Sequence, residues 1–293
     1  MENQMQTNAN PLKKYFRQPK LYLKLPSSGN FYPEGSLEKI DSGEYPVYPM
    51  TARDEITLKT PDALLNGQST VEIIQSCVPN IKNAWAIPTI DIDAILIAIR
   101  IATYGEKIDL EITLPDTNIV KEYVTDLRLA LEKLLNAVFD PVIEINKEIT
   151  AYIRPLSYES FTRNSLKSLE EQRIFGIVNS QDLTDQEKIT QFHKSFKVLT
   201  DITIGNVSEC LVKIVTPDGE VSDPTFIKEF MDNADKDFFT KIMEHLEIQR
   251  DKFRMPTFKI ETTSEEQQAG APEFFETPIV LDASNFFVSS SSI

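Results

Sequence analysis

The sequence predicts an α+β fold: a helical N-terminal core with β-hairpins, followed by a helical bundle and a C-terminal β-ribbon with an extended tail. Three patterns support this prediction. Residues 107–114 alternate strictly between apolar and polar side chains, which is typical of a half-buried antiparallel strand. Residues 92–102 are almost wholly apolar, which indicates a buried helix. Beyond Pro155 the apolar spacing becomes mostly helical, so a change of architecture is expected there.

The first part of the chain alternates short strands with helices. Residues 21–25 have strand-like alternation and enter a turn rich in serine and glycine. Residues 45–50 form a possible edge strand, because prolines interrupt it. Thr51 is a favourable N-cap for the helix that follows. Pro61 is suited to a first helical turn, so a further short helix is expected there.

Two longer helices complete this part. Ser69 or Thr70 caps the first of them. Asp91 or Asp93 begins the second, where a carboxylate complements the positive end of the helix dipole. Gly105 lies where a left-handed C-terminal cap is expected.

Two β-hairpins and a helix are predicted next. The alternating strand at 107–114 is expected to pair with residues 120–124. Leucine and alanine spacing over 127–138 gives a clear helical stripe. Residues 142–145 and 149–153 are rich in β-branched side chains and form the second predicted hairpin.

The region after residue 155 is predicted to be a bundle of antiparallel helices. Five helices are expected. The first covers 157–178, the second begins at the Thr184–Glu187 capping box, and the third covers 202–215. The last two end near Asn233 and Phe253. Residues 257–262 and 277–281 are predicted to pair as a terminal ribbon. We therefore divide the chain into a flexible basic arm (1–20), an α+β core domain (21–155), a helical domain (156–255), and a C-terminal ribbon and tail (256–293).

Charge is distributed unevenly along the chain. The net charge is −15, but the first 24 residues carry five basic side chains against one glutamate, a net +4, which leaves −19 on the remainder. An acidic body is repelled by phosphate backbones, which argues against a general nucleic-acid binder. The basic arm is suited to an acidic partner or to a second copy of the chain. The alternative, a solvated and disordered N-terminus, stays open.

Candidate partner-binding residues therefore lie at both ends of the chain. In the arm they are Lys13, Lys14, Arg17 and Lys20. Near the C-terminus they are Asn285, Phe286 and Phe287, because two adjacent phenylalanines in water are expected to fold back or to insert into a partner. We expect both ends to be mobile in the free protein and ordered in a complex.

Few residues suggest a catalytic, metal-binding or cofactor-binding site. Arg100, within the apolar helix, is expected to form a structural ion pair with Asp54, Glu55 or Asp93. Neither histidine lies in a metal-binding pattern, the two cysteines are 133 positions apart, and no phosphate-binding or nucleophile motif is present. No apolar run reaches the length of a membrane span. We therefore predict no catalytic residues, no cofactor and no membrane segment.

Three stretches together resemble the T4-type bacteriophage baseplate protein family, whose members are linked to the central hub of contractile tails. They are YPMTARDE at 48–55, KTPDALLNG at 59–67 and IRIATYG at 99–105. LPSSG at 25–29 and IKEF at 227–230 are similar as well, so the resemblance extends over most of the chain.

The resemblance implies a structural or morphogenetic baseplate component that binds the hub during or after tail assembly. Its expected partners are hub and spike proteins, with further copies of itself as an additional option. Its expected locations are the virion baseplate and, during assembly, the host cytoplasm. Two alternatives stay open: a hub assembly chaperone absent from the mature virion, and a hub-associated cell-wall hydrolase.

This chain also departs from the family pattern. The resemblance implies paired cysteines at two places, where this chain has residues 114–117 and, in the terminal ribbon, residues 257–281, which contain no cysteine. We therefore predict that no metal binds there, and that hydrophobic packing or a partner holds these ribbons together.

Overall fold

The computed structural model describes residues 10–59, 67–117, 119–178 and 184–278. It has the predicted α+β fold. The helices are α1 (Ala52–Leu58), α2 (Gln68–Cys77), α3 (Thr89–Tyr104), α4 (Leu127–Asn136), α5 (Tyr158–Val178), α6 (Asp185–Cys210), α7 (Pro224–Asn233), α8 (Lys236–Lys252) and α9 (Ser264–Gln268). The strands are β1 (Leu21–Lys24), β2 (Glu44–Val47), β3 (Lys107–Thr113), β4 (Val120–Asp126), β5 (Val142–Glu144), β6 (Thr150–Ile153), β7 (Leu211–Thr216), β8 (Gly219–Val221), β9 (Thr257–Glu261) and β10 (Phe274–Pro278).

The first hydrophobic core surrounds α3. This helix buries most of its side chains and exposes none fully, as its apolar sequence predicts, because the β1–β2 pair and helices α2, α4 and α5 pack around it. The predicted cap at Thr51 is confirmed: its hydroxyl accepts from the Asp54 amide, and the Asp54 carboxylate accepts from the Thr51 amide. The short helix expected after Pro61 lies outside the described residues.

The second hydrophobic core lies on a four-stranded antiparallel sheet with the order β5–β6–β7–β8. Helices α7 and α8 and the end of α6 cover it. The predicted hairpin of β5 and β6 is confirmed, but β6 also pairs with β7, more than 50 residues further along the chain. The boundary expected at residue 155 therefore cuts through this sheet.

One predicted helix is partly wrong. The helix expected over 202–215 ends at Cys210, and the chain continues as β7. Leu211–Thr216 is rich in β-branched side chains, and pairing with both β6 and β8 stabilises the extended conformation there. Local apolar content does not separate a buried helix from a buried strand, so the sequence alone did not reveal this change.

The two cores meet through aromatic side chains. Phe31 contacts Phe139 edge to face at 5.4 Å, and Phe139 lies 6.4 Å from Phe253. Trp85 stacks on Tyr158 at 5.7 Å, which joins the first core to α5. These contacts hold both cores in one packed body.

Two antiparallel ribbons, β3–β4 and β9–β10, complete the fold. Both were predicted, although β10 begins three residues earlier than expected. Lys121 of the first ribbon pairs with Glu266 of α9 at 3.1 Å. Among the described residues, no helix is long and apolar enough to cross a membrane.

Candidate partner-binding surfaces

The N-terminal arm presents an apolar and basic surface. A short 3₁₀ helix at Pro11–Tyr15 begins at Asn10, whose side chain accepts from the Leu12 amide. Lys13 and Lys14 are exposed, and so are the apolar side chains beside them, those of Leu12, Tyr15 and Phe16. Sequence analysis named the two lysines and missed these apolar neighbours, although a tyrosine and a phenylalanine directly after two lysines were a visible signal.

Arg17 differs from the other basic residues of the arm. Its guanidinium donates to the carbonyls of Pro49 and Ser76 at 2.5 and 2.7 Å and lies 3.4 Å from the Asp54 carboxylate. The Arg17 side chain is 27% exposed, so most of it faces the core. This arginine anchors the arm to its own chain, and its charge is already engaged. The expected contact of Arg17 with a partner stays a prediction.

The other basic residues of the arm are Lys13, Lys14 and Lys20. The Lys20 amide donates to the Val47 carbonyl at 2.9 Å, which extends the β1–β2 pairing by one bond, while the Lys20 side chain remains exposed. Arg17 and Lys20 thus contact the core, and the flexibility of the arm stays a prediction. Lys13, Lys14 and Lys20 remain as outward-facing charges.

Asp54 is the centre of a polar cluster beneath the arm. Besides Arg17, its carboxylate accepts from the Thr51 hydroxyl at 2.8 Å and from the Ser76 hydroxyl at 3.1 Å. Burial, assisted by the Asp54 charge, raises the pKa of the adjacent Cys77 to about 12. Burial likewise raises the pKa of Cys210 to about 12, so both thiols stay protonated and are poor nucleophiles.

Arg100 lies beside Tyr104, and its expected ion pair stays a prediction. Its guanidinium lies 4.6 Å from the centre of the Tyr104 ring and donates to the Gly105 carbonyl at 3.5 Å. The Tyr104 hydroxyl donates to Glu55 at 3.1 Å, so the link from Arg100 to Glu55 runs through Tyr104. In the described part of the chain, the ion pair of Asp54 is with Arg17. Burial lowers the pKa of Arg100.

Asp91 holds the serine-rich turn after β1. Its buried carboxylate accepts from the Ser27 amide at 2.7 Å, the Ser27 hydroxyl at 2.6 Å and the Tyr32 hydroxyl at 2.9 Å. Burial raises the pKa of Asp91 to about 6, although these three bonds act in the opposite direction. Asp93, whose pKa burial also raises, accepts from the Met255 amide at 3.1 Å. Each carboxylate therefore holds a separate backbone segment.

Two further apolar patches lie on the helices of the second half. On α6, Ile189, Phe192 and Phe196 lie on one helical face and are exposed; we call them the α6 stripe. On α7, Phe226 and Phe230 are exposed and four residues apart; we call them the α7 pair. The sequence pattern predicted these residues only as apolar helix positions, because periodicity does not show which apolar side chains remain exposed.

The described residues offer little to bind a metal ion. No set of three or more histidine, cysteine, aspartate and glutamate side chains there is placed to hold a metal ion. At the turn where the family resemblance implies cysteines, this chain has the buried Leu114 and the polar residues Asp116 and Thr117, which do not fit a thiolate zinc site. The prediction that no metal binds awaits direct metal analysis. Asn285, Phe286 and Phe287 lie outside the described residues.

The fold and its surfaces indicate the class of protein. The buried carboxylates and Arg17 hold turns and termini of their own chain, while aromatic and basic side chains face outward. This arrangement is typical of a protein that works by binding other proteins.

Comparison with known families agrees with this class. The family model of the T4 bacteriophage base plate protein matches residues 20–276, and the chain therefore belongs to that family. The resemblance seen in the sequence is thus confirmed. No curated protein and no solved structure gave a significant match. Family membership supports a structural role in the baseplate and, with it, a location in the virion.

Proposed function

We propose that the protein is a structural component that binds the central hub of a contractile phage tail during or after assembly of the baseplate. The observation that carries this proposal is the family match over residues 20–276, which includes both hydrophobic cores. The partners would be hub and spike proteins. The protein would bind them first in the host cytoplasm and would remain bound to them in the virion.

The surface of the arm supports binding by complementarity. Lys13 and Lys14 project from a body that carries a large negative charge, and exposed apolar side chains lie beside them. Such a surface favours a partner with an acidic rim around an apolar patch, because unlike charges guide the encounter while apolar burial supplies affinity. Arg17, which directly follows this surface, is hydrogen-bonded to the Pro49 and Ser76 carbonyls.

An enzymatic role has less support in the structure. The buried acids Asp54, Asp91 and Asp93 are each satisfied by groups of their own chain. A cell-wall hydrolase would need a pair of carboxylates open to substrate. A turbidity assay on peptidoglycan is expected to show no clearing, and clearing by the purified protein would contradict the proposal.

Cross-linking of purified baseplates tests hub binding. An amine-reactive reagent followed by mass spectrometry is expected to link Lys13 or Lys14 to hub or spike subunits. The double variant Lys13→Glu and Lys14→Glu should reduce incorporation into baseplates, because it reverses the charge of the arm. Lys147→Glu, an exposed lysine in the β5–β6 turn, is the matched control. Links to peripheral subunits alone, or equal losses for both variants, would contradict hub binding through the arm.

A further inference from the structure

Acidic side chains are concentrated around α7. Residues 218–237 contain seven acids and two lysines, a net −5, and the balance is the same over 211–247, which contain nine acids and four lysines. Asp223 and Asp235 cap α7 and α8, and Glu220 is in an ion pair. The other acids of 218–237 form no ion pair with a described residue. The surface around α7 therefore carries excess negative charge.

The α7 pair lies within this acidic region. Phe226 is 60% exposed, and Phe230 packs edge to face on buried Phe238 at 4.7 Å. With 3.6 residues per turn, Glu229 lies about 80° around the helix from the centre of the pair, and Lys228 lies about 180° from it. The acid therefore borders the exposed rings, whereas the lysine lies on the other side of α7.

The arm carries a surface of opposite charge. Residues 1–33 contain five basic side chains and one acid. Leu12 and Tyr15 are three residues apart in the 3₁₀ helix, so they lie on one face of it. Both are exposed, and so is Phe16 beside them. The Lys14 ammonium lies 4.9 Å from the centre of the Tyr15 ring, which places a basic group at the border of these apolar side chains. We call residues 12–16 the arm surface.

We infer that the arm surface of one molecule binds the α7 pair of a second copy. Burial of the aromatic rings favours this contact, and the lysines of the arm then face the acids around α7. Contact between two arms, or between two α7 pairs, would bring like charges together. Contact between unlike surfaces joins the copies head to tail, in a ring or in an open chain.

This contact belongs to the free protein. It uses the arm that we propose for hub binding, so a hub subunit would compete with the second copy for the arm. Association of the free protein needs no hub subunit. The two proposals are therefore tested separately, and either one can fail without the other.

Another exposed apolar surface is also bordered by acids. Val120 and Val124 of β4 are exposed, with Glu122 between them, and Glu122 is directly opposite Glu111 of β3. These side chains are aliphatic and smaller than phenylalanine, and aromatic rings bury more area in a contact. The α7 pair is therefore the better partner for the arm, and the ribbon provides matched controls.

The contact is expected to be weak. Two surfaces of this size fall below the ~1,200 Å² at which stable interfaces generally begin. Sedimentation velocity of the full-length protein over a range of concentrations is therefore the appropriate measurement. The wild-type protein should shift towards faster species as its concentration rises, and added salt should reduce this shift because the contact is partly electrostatic.

Mixing two variants tests the head-to-tail arrangement. Tyr15→Ser with Phe16→Ser removes the rings of the arm surface, and Phe226→Ser removes the more exposed ring of the α7 pair. Each variant alone should remain monomeric, since one side of every contact is missing. An equimolar mixture should form dimers and nothing larger, because one intact contact is restored, which also shows that both variants are folded. Val120→Thr with Val124→Thr is the control and should associate like the wild type.

Charge reversal gives an independent readout. Glu229→Lys should weaken association about tenfold, and so should the double variant Lys13→Glu and Lys14→Glu. Mixing these two proteins should restore association, because the charges are again opposite. Glu122→Lys makes the same change of charge on the ribbon and should have no effect.

Four results would overturn the inference. The first is a wild-type protein that stays monomeric up to its solubility limit. The second is association that is lost in the ribbon variants and kept in those of the arm and α7. The third is dimerisation of either single-surface variant alone, which would show pairing of like surfaces. The fourth is a mixture of the arm and α7 variants that remains monomeric.

Discussion

At the scale of single residues, buried polar side chains fix the loops and the arm of this protein. Asp91 holds the turn after β1 through three hydrogen bonds, and Arg17 joins the arm to the carbonyls beside α1 and α2. In both cases one charged group satisfies backbone atoms that lie far apart in sequence. Removal of such a group leaves several polar atoms without partners, which costs more than the loss of one exposed bond.

Asp91 gives the stability of the protein a specific pH dependence. Its pKa is raised from 3.8 to about 6 in the folded state, so the folded protein binds this proton more tightly than the unfolded chain. Its contribution to stability is therefore greatest below about pH 4 and falls as pH rises through 6, by about 3 kcal/mol in all. Asp91→Asn keeps an acceptor for the Ser27 amide and removes the titration.

Denaturant unfolding of the wild type and Asp91→Asn from pH 4 to pH 8 measures this effect. The difference between the two proteins should move in favour of the variant as pH rises, and other carboxylates cancel in the comparison. A difference that does not change with pH would show that Asp91 titrates normally in the folded state.

Arg17→Ala is expected to release the arm and to destabilise the fold. The variant leaves the Pro49 and Ser76 carbonyls and the Asp54 carboxylate without the guanidinium, at an expected cost of about 2 kcal/mol in the free energy of unfolding. Hydrogen exchange of residues 10–20 should become faster in the variant. Lys14→Ala, at an exposed position, is the control and should leave exchange in this segment unchanged. Equal protection in both variants would show that Arg17 does not anchor the arm.

At the scale of elements, local patterns predicted much of the fold. The caps at Thr51 and Thr184, the apolar helix α3 and the β3–β4 hairpin all depend on neighbours in sequence, and all four are confirmed. The β6–β7 pairing depends on segments more than 50 residues apart, which periodicity does not report. For the same reason, the sequence did not reveal that Arg17 reaches Pro49 and Ser76.

Gly67 offers a test of how α2 packs against α5. It has a φ of 77°, and a Cβ placed there would lie 3.1 Å from the Tyr158 hydroxyl and 3.2 Å from a Thr162 methyl. Gly35 has a similar φ of 79° but open space around it. Gly35→Ala should therefore cost only the backbone strain of a left-handed residue, about 1 kcal/mol, and Gly67→Ala about twice as much. Thermal unfolding measures both, and equal costs would contradict close packing at Gly67.

The two ribbons are expected to hold together without a metal. Their contact includes the Lys121–Glu266 ion pair, and a Cβ placed on Gly270 would lie 3.6 Å from the Asp116 carbonyl. Metal analysis of the purified protein should find no stoichiometric zinc, and a chelator should leave the melting temperature unchanged. Lys121→Met should lower the melting temperature slightly, because it removes the Lys121–Glu266 ion pair between the ribbons. Stoichiometric zinc, or unfolding by the chelator, would contradict this account.

At the scale of the whole molecule, two hydrophobic cores form one body whose surface carries separate binding features. The arm lies on the first core, whereas the α6 stripe and the α7 pair lie on the helices of the second half. Separate surfaces allow one protein to contact more than one neighbour at once. Composition predicted the charge asymmetry, but only the folded structure shows which apolar side chains remain exposed.

Quantitative mass spectrometry of purified virions tests the central claim most directly. If the protein is a structural component of the baseplate, it should be present in mature particles in a fixed ratio to hub proteins, equal to its ratio in isolated baseplates. If it is present in assembly intermediates but missing from mature virions, it acts as an assembly chaperone, and the proposed structural role is wrong.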